Sequence, residues 1–343
     1  MDRTTSRTAL VIGATGGVGG ETAAALVRHG WQVRALARRP QPPRHGIEWR
    51  IGDAMNADEV RAAAQDTALI VHAANPPGYR DWNRLVLPML DNSIAAARAA
   101  GARIVLPGTI YNYGPDAFPL IGEDAAQRPR TRKGRIRVEM ERRLEIASAE
   151  GVRVLILRAG DYFGPRPGNS WFSQGLFKPG APPRHMADPA TPGTSHAWAY
   201  LPDVGETIAL LAGREAQLAG FQRLHFAGLQ LTSEELAAAV GDALGRPLGI
   251  RRFPWRTIAL LAPFVPLFRE MAELRYLWQH TIALDGRQLE ALLGTDLPRT
   301  PLSDAVRETL RGLGMLEPSH SLRRRRFSLA PSNRARPPRL RAS

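Results

Sequence analysis

The sequence predicts an α/β fold, a doubly wound parallel sheet carrying a smaller C-terminal lobe. Three observations lead there. From Thr8 to Gly160 short apolar runs alternate with Ala- and Leu-rich helical stretches, the pattern of strands joined by helical crossovers. The first apolar run ends in a glycine-rich turn that opens a helix. Beyond about residue 160 the alternation stops, and Gly, Pro and aromatic residues take over.

Each element has its own signal. TALVI (8–12) is a strand, and the helix after the glycine-rich turn ends near Gly30. WQVRALAR (31–38) and IEWRIGD (47–53) are the second and third strands, ADEVRAAAQ (57–65) a helix, and ALIVHAA (68–74) the fourth strand. A helix over about 82–100 closes at Gly101, RIVLPGT (103–109) is a strand, TRKGRIRVEMERRL (131–144) opens a helix, and VRVLILRAG (152–160) is the next strand. Right-handed crossovers between parallel strands wind such a sheet in both directions. FGPRPGNSWFSQGLFKPGAPPRH (163–185) reads as loops. AYLPDVGETIALLAG (199–213) reads as a strand and a helix capped at or near Asp203. LTSEELAAAVGDALG (231–245) is a helix that Thr232 or Ser233 caps, with Glu234 or Glu235 completing a capping box. RTIALLAPFVPLFREMAELRYLW (256–278), broken by Pro263 and Pro266, reads as packed helices over a substrate cleft. The expected division is a sheet domain over 1–165, with part of 195–215 crossing back, a mostly helical lobe over 166–316, and a disordered Arg-rich tail over 317–343.

Composition narrows the function. The chain has 343 residues and 44% hydrophobic residues, enough for a sizeable core. No apolar stretch approaches the ~18 residues of a membrane span, so no membrane partner is expected. The start, MDRTTSRTALVIG, runs straight into a strand rather than a secretion signal, which leads us to expect a cytoplasmic location. Absence of cysteine excludes disulfides, thiol nucleophiles and thiolate metal sites. The eight histidines lack metal-ligand spacing, so no metal is expected, and there is no Gly-x-Ser-x-Gly elbow of a hydrolase. The net charge is +14, but the segment from Pro318 to Ser343 carries eight Arg and no acid, leaving +6 for the rest. A nucleic-acid partner is therefore disfavoured in spite of the charge.

The glycine-rich turn is the most specific local signal. Gly13, Gly16 and Gly19 stand three apart, in GATGGVG, between a strand and a helix. That context marks a dinucleotide-binding turn, with Thr15, Gly17 and Val18 supplying further backbone around the diphosphate. The first glycine allows the tight turn, the second lets the diphosphate approach, and the third packs helix on strand. An NAD site usually places an acid at the end of the second strand, where this chain has Leu36-Ala37-Arg38-Arg39. Arg38 can pair with a 2′-phosphate, so the expected cofactor is NADP, with NAD as the alternative.

The turn and its flanks resemble the short-chain dehydrogenase/reductase superfamily, and the later segments resemble its extended branch, the NAD-dependent epimerase/dehydratase family. Gly52-Asp53, followed by Ala54, resembles the adenine-contacting pair. His72-Ala73-Ala74, followed by Asn75, resembles the ribose-side segment. Leu106 to Gly114 resembles the strand bearing the catalytic Ser/Thr, Leu157 to Pro165 the stretch after the catalytic helix, Tyr200 to Val204 the late strand-to-helix element, and Leu284 to Gly294 the closing helix. The resemblance spans roughly residues 8–314 and implies a Rossmann fold and a helix-mediated homodimer.

It also implies a Tyr-x-x-x-Lys pair on the helix after the fifth strand, with a Ser/Thr hydroxyl on the reacting oxygen. Thr109 fits the hydroxyl, but 24 residues later Lys133 stands for the tyrosine and Arg137 for the lysine. Pro88 falls near the family's Asn. Lys133, Arg137 and Glu141, four apart, share one helix face, which reads either as a solvated charge ladder or as an altered catalytic helix. In the second reading Lys133 is the acid/base, Arg137 holds ribose hydroxyls, and Tyr111, Tyr113 or Asp161 offers another proton path. His196, Trp198 and Tyr200 alternate on a strand and either line the cleft or pack on late helices, His72 reads as structural, and Tyr79 and Trp82 either flank the ligand or belong to a loop. The expected function is NAD(P)-dependent oxidoreduction or epimerisation of a small carbinol or carbonyl substrate. The alternative is a catalytically inactive NAD(P)-sensing regulator.

Overall fold

The structure, a computed structural model, describes residues 7–76, 82–168 and 170–316. Seven parallel strands form the main sheet: β1 (Thr8–Ile12), β2 (Gln32–Ala37), β3 (Ile47–Ile51), β4 (Leu69–His72), β5 (Arg103–Gly108), β7 (Val154–Ala159) and β11 (Phe221–Phe226). Their order is β3-β2-β1-β4-β5-β7-β11, so the winding direction reverses between β1 and β4. The expected doubly wound sheet is present.

Side-chain alternation on β1 explains the layers. Ala9 and Val11 face one core, shared with Ala23 and Leu26 of α1 (Gly17–Arg28) and Val204 and Ile208 of α5 (Leu201–Gly213). Leu10 and Ile12 face the opposite core, shared with Val60 of α2 (Ala57–Ala63), Leu90 of α3 (Trp82–Ala100) and Met140 and Leu144 of α4 (Arg132–Ala149). Strands covered on both faces are predominantly apolar, and β4, β5 and β7 are buried along their whole length, with His72, Arg103 and Arg158 as their polar members.

A third core fills the C-terminal lobe. Here β10 (Ser195–Tyr200) pairs with β8 (Asp161–Phe163) and β12 (Leu229–Thr232), while β9 (His185–Asp188) pairs with β13 (Gly249–Arg252) and β6 (Leu120–Ile121) with β14 (Ala283–Leu284). Around them lie α6 (Ser233–Leu244), α7 (Trp255–Leu261), α8 (Pro266–Glu273) and α10 (Leu302–Gly312), while α9 (Arg287–Leu293) packs Leu289 and Leu293 into the main-sheet core beside β11.

Two local expectations are corrected. The 163–185 stretch is not simply loop: a π-helical turn, Phe172–Leu176, buries Trp171, Phe172 and Phe177 against Trp198 and Trp278. Dense Gly and Pro hid an aromatic core segment. Tyr200, not Asp203, is the N-cap of α5. The Asp203 carboxylate instead accepts hydrogen bonds from the Thr300 N–H at 2.9 Å and hydroxyl at 2.6 Å. The α6 capping box of Thr232 and Glu235 is present, and Gly245 closes the helix at φ +67°. The Arg-rich tail, 317–343, lies outside the described residues. No helix among the described residues is long and apolar enough to cross a membrane.

Candidate active site

The glycine-rich turn joins β1 to α1. Gly13 has φ +95°, and a β-carbon there would lie 2.5 Å from the Ala73 carbonyl oxygen. At Gly19 a β-carbon would lie 2.4 Å from the Gly13 carbonyl oxygen. Neither position can hold a side chain without moving backbone. The Gly16 N–H closes the turn on the Gly13 carbonyl at 2.9 Å, and the Gly20 N–H makes the first helical bond, to Gly16 at 2.9 Å. The N–H groups of Gly17, Val18 and Gly19 thus precede any intrahelical acceptor. α1 has no side-chain cap and no acid in its first turn. By contrast, Asn56 caps α2 above Asp58 and Glu59, and Thr232 caps α6 above Glu234 and Glu235. The start of α1 alone among these three is left polar, electropositive and open to an anion.

A cleft of about 600 Å³ runs from this turn across the C-terminal ends of β2, β3 and β4. Gly13, Thr15, Arg38, Asp53, Ala54, Ala74 and Asn75 all line it, together with Arg39 and Gln41. The remaining cofactor candidates, Gly16, Gly17, Val18, Gly19 and Ala73, adjoin it through the turn itself. Asp53 is fixed locally: its Oδ1 accepts the Met55 N–H at 3.0 Å, and its own N–H donates to Glu59 at 2.6 Å. Two residues missed by sequence reasoning flank the turn. Glu21 accepts from Arg166 at 2.8 Å, and the Arg166 carbonyl lies 3.0 Å from where a β-carbon on Gly17 would be. Their pairing joins α1 to a distant loop, so no local pattern announces it.

Of the four catalytic candidates, Thr109 and Tyr111 follow β5 while Lys133 and Arg137 lie on α4, and none is among the residues lining that cleft. Thr109 follows β5, and its hydroxyl accepts the Tyr111 N–H at 3.4 Å. α4 starts directly on this turn: Thr131 caps it by accepting the Gly134 N–H at 3.0 Å, and a β-carbon on Gly134 would lie 2.3 Å from the Tyr111 carbonyl oxygen. Glycine at 134 therefore lets the first turn of α4 pack on the Tyr111 backbone. Tyr111 itself belongs to the aromatic core.

The charge ladder is not a solvated face. Lys133 and Glu141 are each only 3% exposed, and the Arg137 guanidinium lies over the Trp82 ring at 5.2 Å. Glu141 anchors a buried polar network. Its carboxylate accepts two bonds from Arg158 at 2.8 and 2.9 Å, one from Asn112 at 2.9 Å and one from Gln127 at 2.6 Å. Arg158 also donates to the Thr109 carbonyl and, at 3.2 Å, to His225 Nε2. His225 Nδ1 faces the Ile121 carbonyl at 3.2 Å, which makes it the protonated nitrogen of a neutral ring. Burial first, then the Arg158 charge, holds the His225 pKa down to about 3. The Thr109 backbone is thus tied to β7, β11 and α4 at once.

The other candidates are placed as follows. His72 is buried, donates or accepts at 2.8 Å with Ser93, and has its pKa pushed down to about 3, chiefly by burial and then by the Arg137 charge. Trp82 does not flank open space: it is buried, supports Arg137, and its indole N–H points to the Pro76 carbonyl at 3.4 Å. Tyr79 lies outside the described residues. His196, Trp198 and Tyr200 do share a face, and that face packs inward. His196 stacks on Trp278 at 4.2 Å and pairs with Asp161 at 2.6 Å, and the Tyr200 hydroxyl reaches Glu308 of α10. Tyr162 donates to the Gly108 carbonyl at 3.3 Å, and burial pushes its pKa up to about 12. Tyr113 is enclosed beneath Arg158, whose guanidinium lies 4.9 Å from its ring centre.

A doubly wound sheet with an uncapped, glycine-lined helix start defines a protein of the dinucleotide-binding α/β class. Within it, residues 9–177 match the model of the NAD dependent epimerase/dehydratase family. No curated protein matches the chain. Among solved structures it is similar to MoeE5 in complex with UDP-glucuronic acid and NAD, at 19% identity over 90% of this chain and 98% of that one, with a TM-score of 0.68. It is similar to UDP-glucuronic acid 4-epimerase from Bacillus cereus, in complex with UDP-glucuronic acid and NAD, at 15% identity over 89% and 98%, with a TM-score of 0.68. The UDP-glucose 4-epimerase of Thermus thermophilus, in complex with NAD, gives 20% identity over 89% and 98%, with a TM-score of 0.65. At these identities the likeness is one of fold.

Proposed function

We propose that this protein is an NAD(P)-dependent oxidoreductase or epimerase acting at a carbinol or carbonyl carbon of a small molecule. The observation that carries the reading is the open start of α1, where Gly13 and Gly19 leave no room for a β-carbon and no side chain occupies the helix N–H groups. Amides from Gly17 to Gly19 bind the diphosphate, and Asp53 and Ala54 bound the adenine end. Arg38, with Arg39 beside it in the cleft, favours NADP through a 2′-phosphate. The dinucleotide, when bound, supplies the hydride acceptor or donor. The Thr109 hydroxyl orients the reacting oxygen, Lys133 exchanges a proton with it from a site closed to solvent, and Arg137 supplies positive charge nearby. A cytoplasmic location belongs to the same reading.

Calorimetric titration with NADPH and NADH tests the cofactor. NADPH binds more tightly, and Arg38→Asp reverses the preference. Equal affinities in both proteins refute the assignment. Turnover is then sought on carbinols and on UDP-glucose and UDP-glucuronic acid, ligands held by structures of the same fold. Lys133→Met keeps cofactor affinity and loses turnover, whereas full turnover in that variant removes Lys133 as proton donor. One observation favours a second reading. Lys133 and Arg137 occupy the positions where the family resemblance implies Tyr and Lys, as they would in a cofactor-sensing regulator. A protein that binds NADPH but shows no hydride transfer with any of these substrates fits that reading.

A further inference from the structure

We infer that the α7–α8 hairpin is an interfacial anchor that docks the protein on an anionic lipid surface. α7 and α8 pack on each other as a helical hairpin. The inward face of α7 is accounted for: Ile258 is buried, and the Trp255 indole N–H donates to the Pro189 carbonyl at 2.9 Å. The outward side is apolar where solvent-facing residues are normally polar. Leu260 is 74% exposed, Leu261 37%, and Phe264, in the turn between the helices, 80%. Three large apolar side chains within five residues, at the tip of a hairpin, form a wedge rather than scattered surface hydrophobes.

Charge chooses the occupant. From Arg251 to Arg275 the segment has five arginines and two glutamates. Arg256, one helical turn before Leu260, and Arg269, at the start of α8, are exposed and form no ion pair with a described residue. An apolar tip rimmed by arginines fits a membrane interface, where the tip enters the acyl boundary and the guanidinium groups meet lipid phosphates. A second copy is a poor occupant, because a two-fold contact would set the same arginine rim against itself in a chain of net charge +14. The chain's own tail is no better, since residues 318–343 carry eight Arg and no acid. The inference is independent of the reaction proposed above and departs from the sequence expectation of no membrane partner.

Flotation of the full chain with phosphatidylcholine vesicles, with and without phosphatidylglycerol, tests it. Binding is expected only to the anionic vesicles, weakening as salt rises. Leu260→Ser and Phe264→Ser each lower partitioning roughly tenfold, Phe264→Leu restores it, and the melting temperature stays unchanged because both positions are exposed. Arg256→Gln with Arg269→Gln lowers binding at low salt. Any of three results overturns the inference: vesicle binding indifferent to Leu260 and Phe264, binding lost only when Arg323, Arg324, Arg325 and Arg326 become Gln, or a dimer that Phe264→Ser splits in sedimentation analysis.

Discussion

The start of α1, after β1, and the start of α4, against the turn after β5, lie at the C-terminal edge of one sheet and are built by opposite means. At α1 the structure removes side chains: glycines at 13 and 19 bring backbone against backbone, and the helix start carries neither cap nor acid. At α4 it adds them: Thr131 caps the helix, Lys133 and Glu141 are buried, and Glu141 is enclosed by Arg158, Asn112 and Gln127. The first region presents main-chain groups that any sequence supplies once side chains are absent. The second depends on which side chains are present. Glu141 and Arg158 form the buried pair of this region, and Lys133 and Arg137 stand on the same helix.

The comparison breaks most severely at Glu141. Glu141→Gln removes the carboxylate that faces Arg158, a guanidinium with no exposure at all. An uncompensated buried charge costs about 3–5 kcal/mol. Urea unfolding should show that loss, with the Thr109 turn losing its order as well. A loss below about 1 kcal/mol would mean that Arg158 finds another partner and that the network is not what holds α4.

Gly13→Ala tests the other side. The added carbon meets backbone at 2.5 Å from a residue at φ +95°, so it should cost about 2–3 kcal/mol. Dinucleotide affinity should fall by at least roughly tenfold, since the turn must move. Glu141→Gln, by contrast, should leave the dinucleotide affinity of the folded protein near normal. If both variants lose affinity alike, the two regions are one unit and the contrast fails.

The two regions also differ in how legible they were. The glycine spacing, the sheet and its winding follow from local pattern, because strand alternation and turn chemistry act over a few residues. Lys133, Arg137 and Glu141 were legible as one face, but not as a buried one. What buries Glu141 comes from Arg158, on β7, and its link onward to His225, on β11. Such pairings are set by tertiary packing and leave no periodic trace. Asp203 was misread for the same reason, since its partner, Thr300, lies far along the chain. The aromatic core around Trp171 was hidden by the glycines and prolines that allow its tight path.

Acid should strain the side-chain region before the turn. His225 and His72 are held neutral when folded, with pKa values pushed from 6.5 to about 3. The unfolded chain binds those protons at ordinary values, so between pH 6.5 and about 3 it binds more protons than the native state. Stability is therefore fully present above pH 6.5 and falls with acidification, by about 1.4 kcal/mol per pH unit for each histidine. Thermal melts at stepped pH should give a shallower slope in His225→Asn. An unchanged slope would place the acid sensitivity elsewhere.

The smallest effect is a control remote from both regions. Thr232 caps α6, with its hydroxyl accepting the Glu235 N–H at 3.2 Å and Glu235 reaching back to the Thr232 N–H at 2.8 Å. Thr232→Ala removes one half of that box, which should lower stability by about 1 kcal/mol. Dinucleotide affinity should not change, because α6 contributes nothing to the cleft lining. A cap can be lost here because water can take its place at an exposed helix start. At α1 the reverse substitution, a side chain added where none stands, would fill the uncapped helix start. If Thr232→Ala weakens dinucleotide binding, helix starts across the molecule are coupled, and the special status of α1 has to be given up.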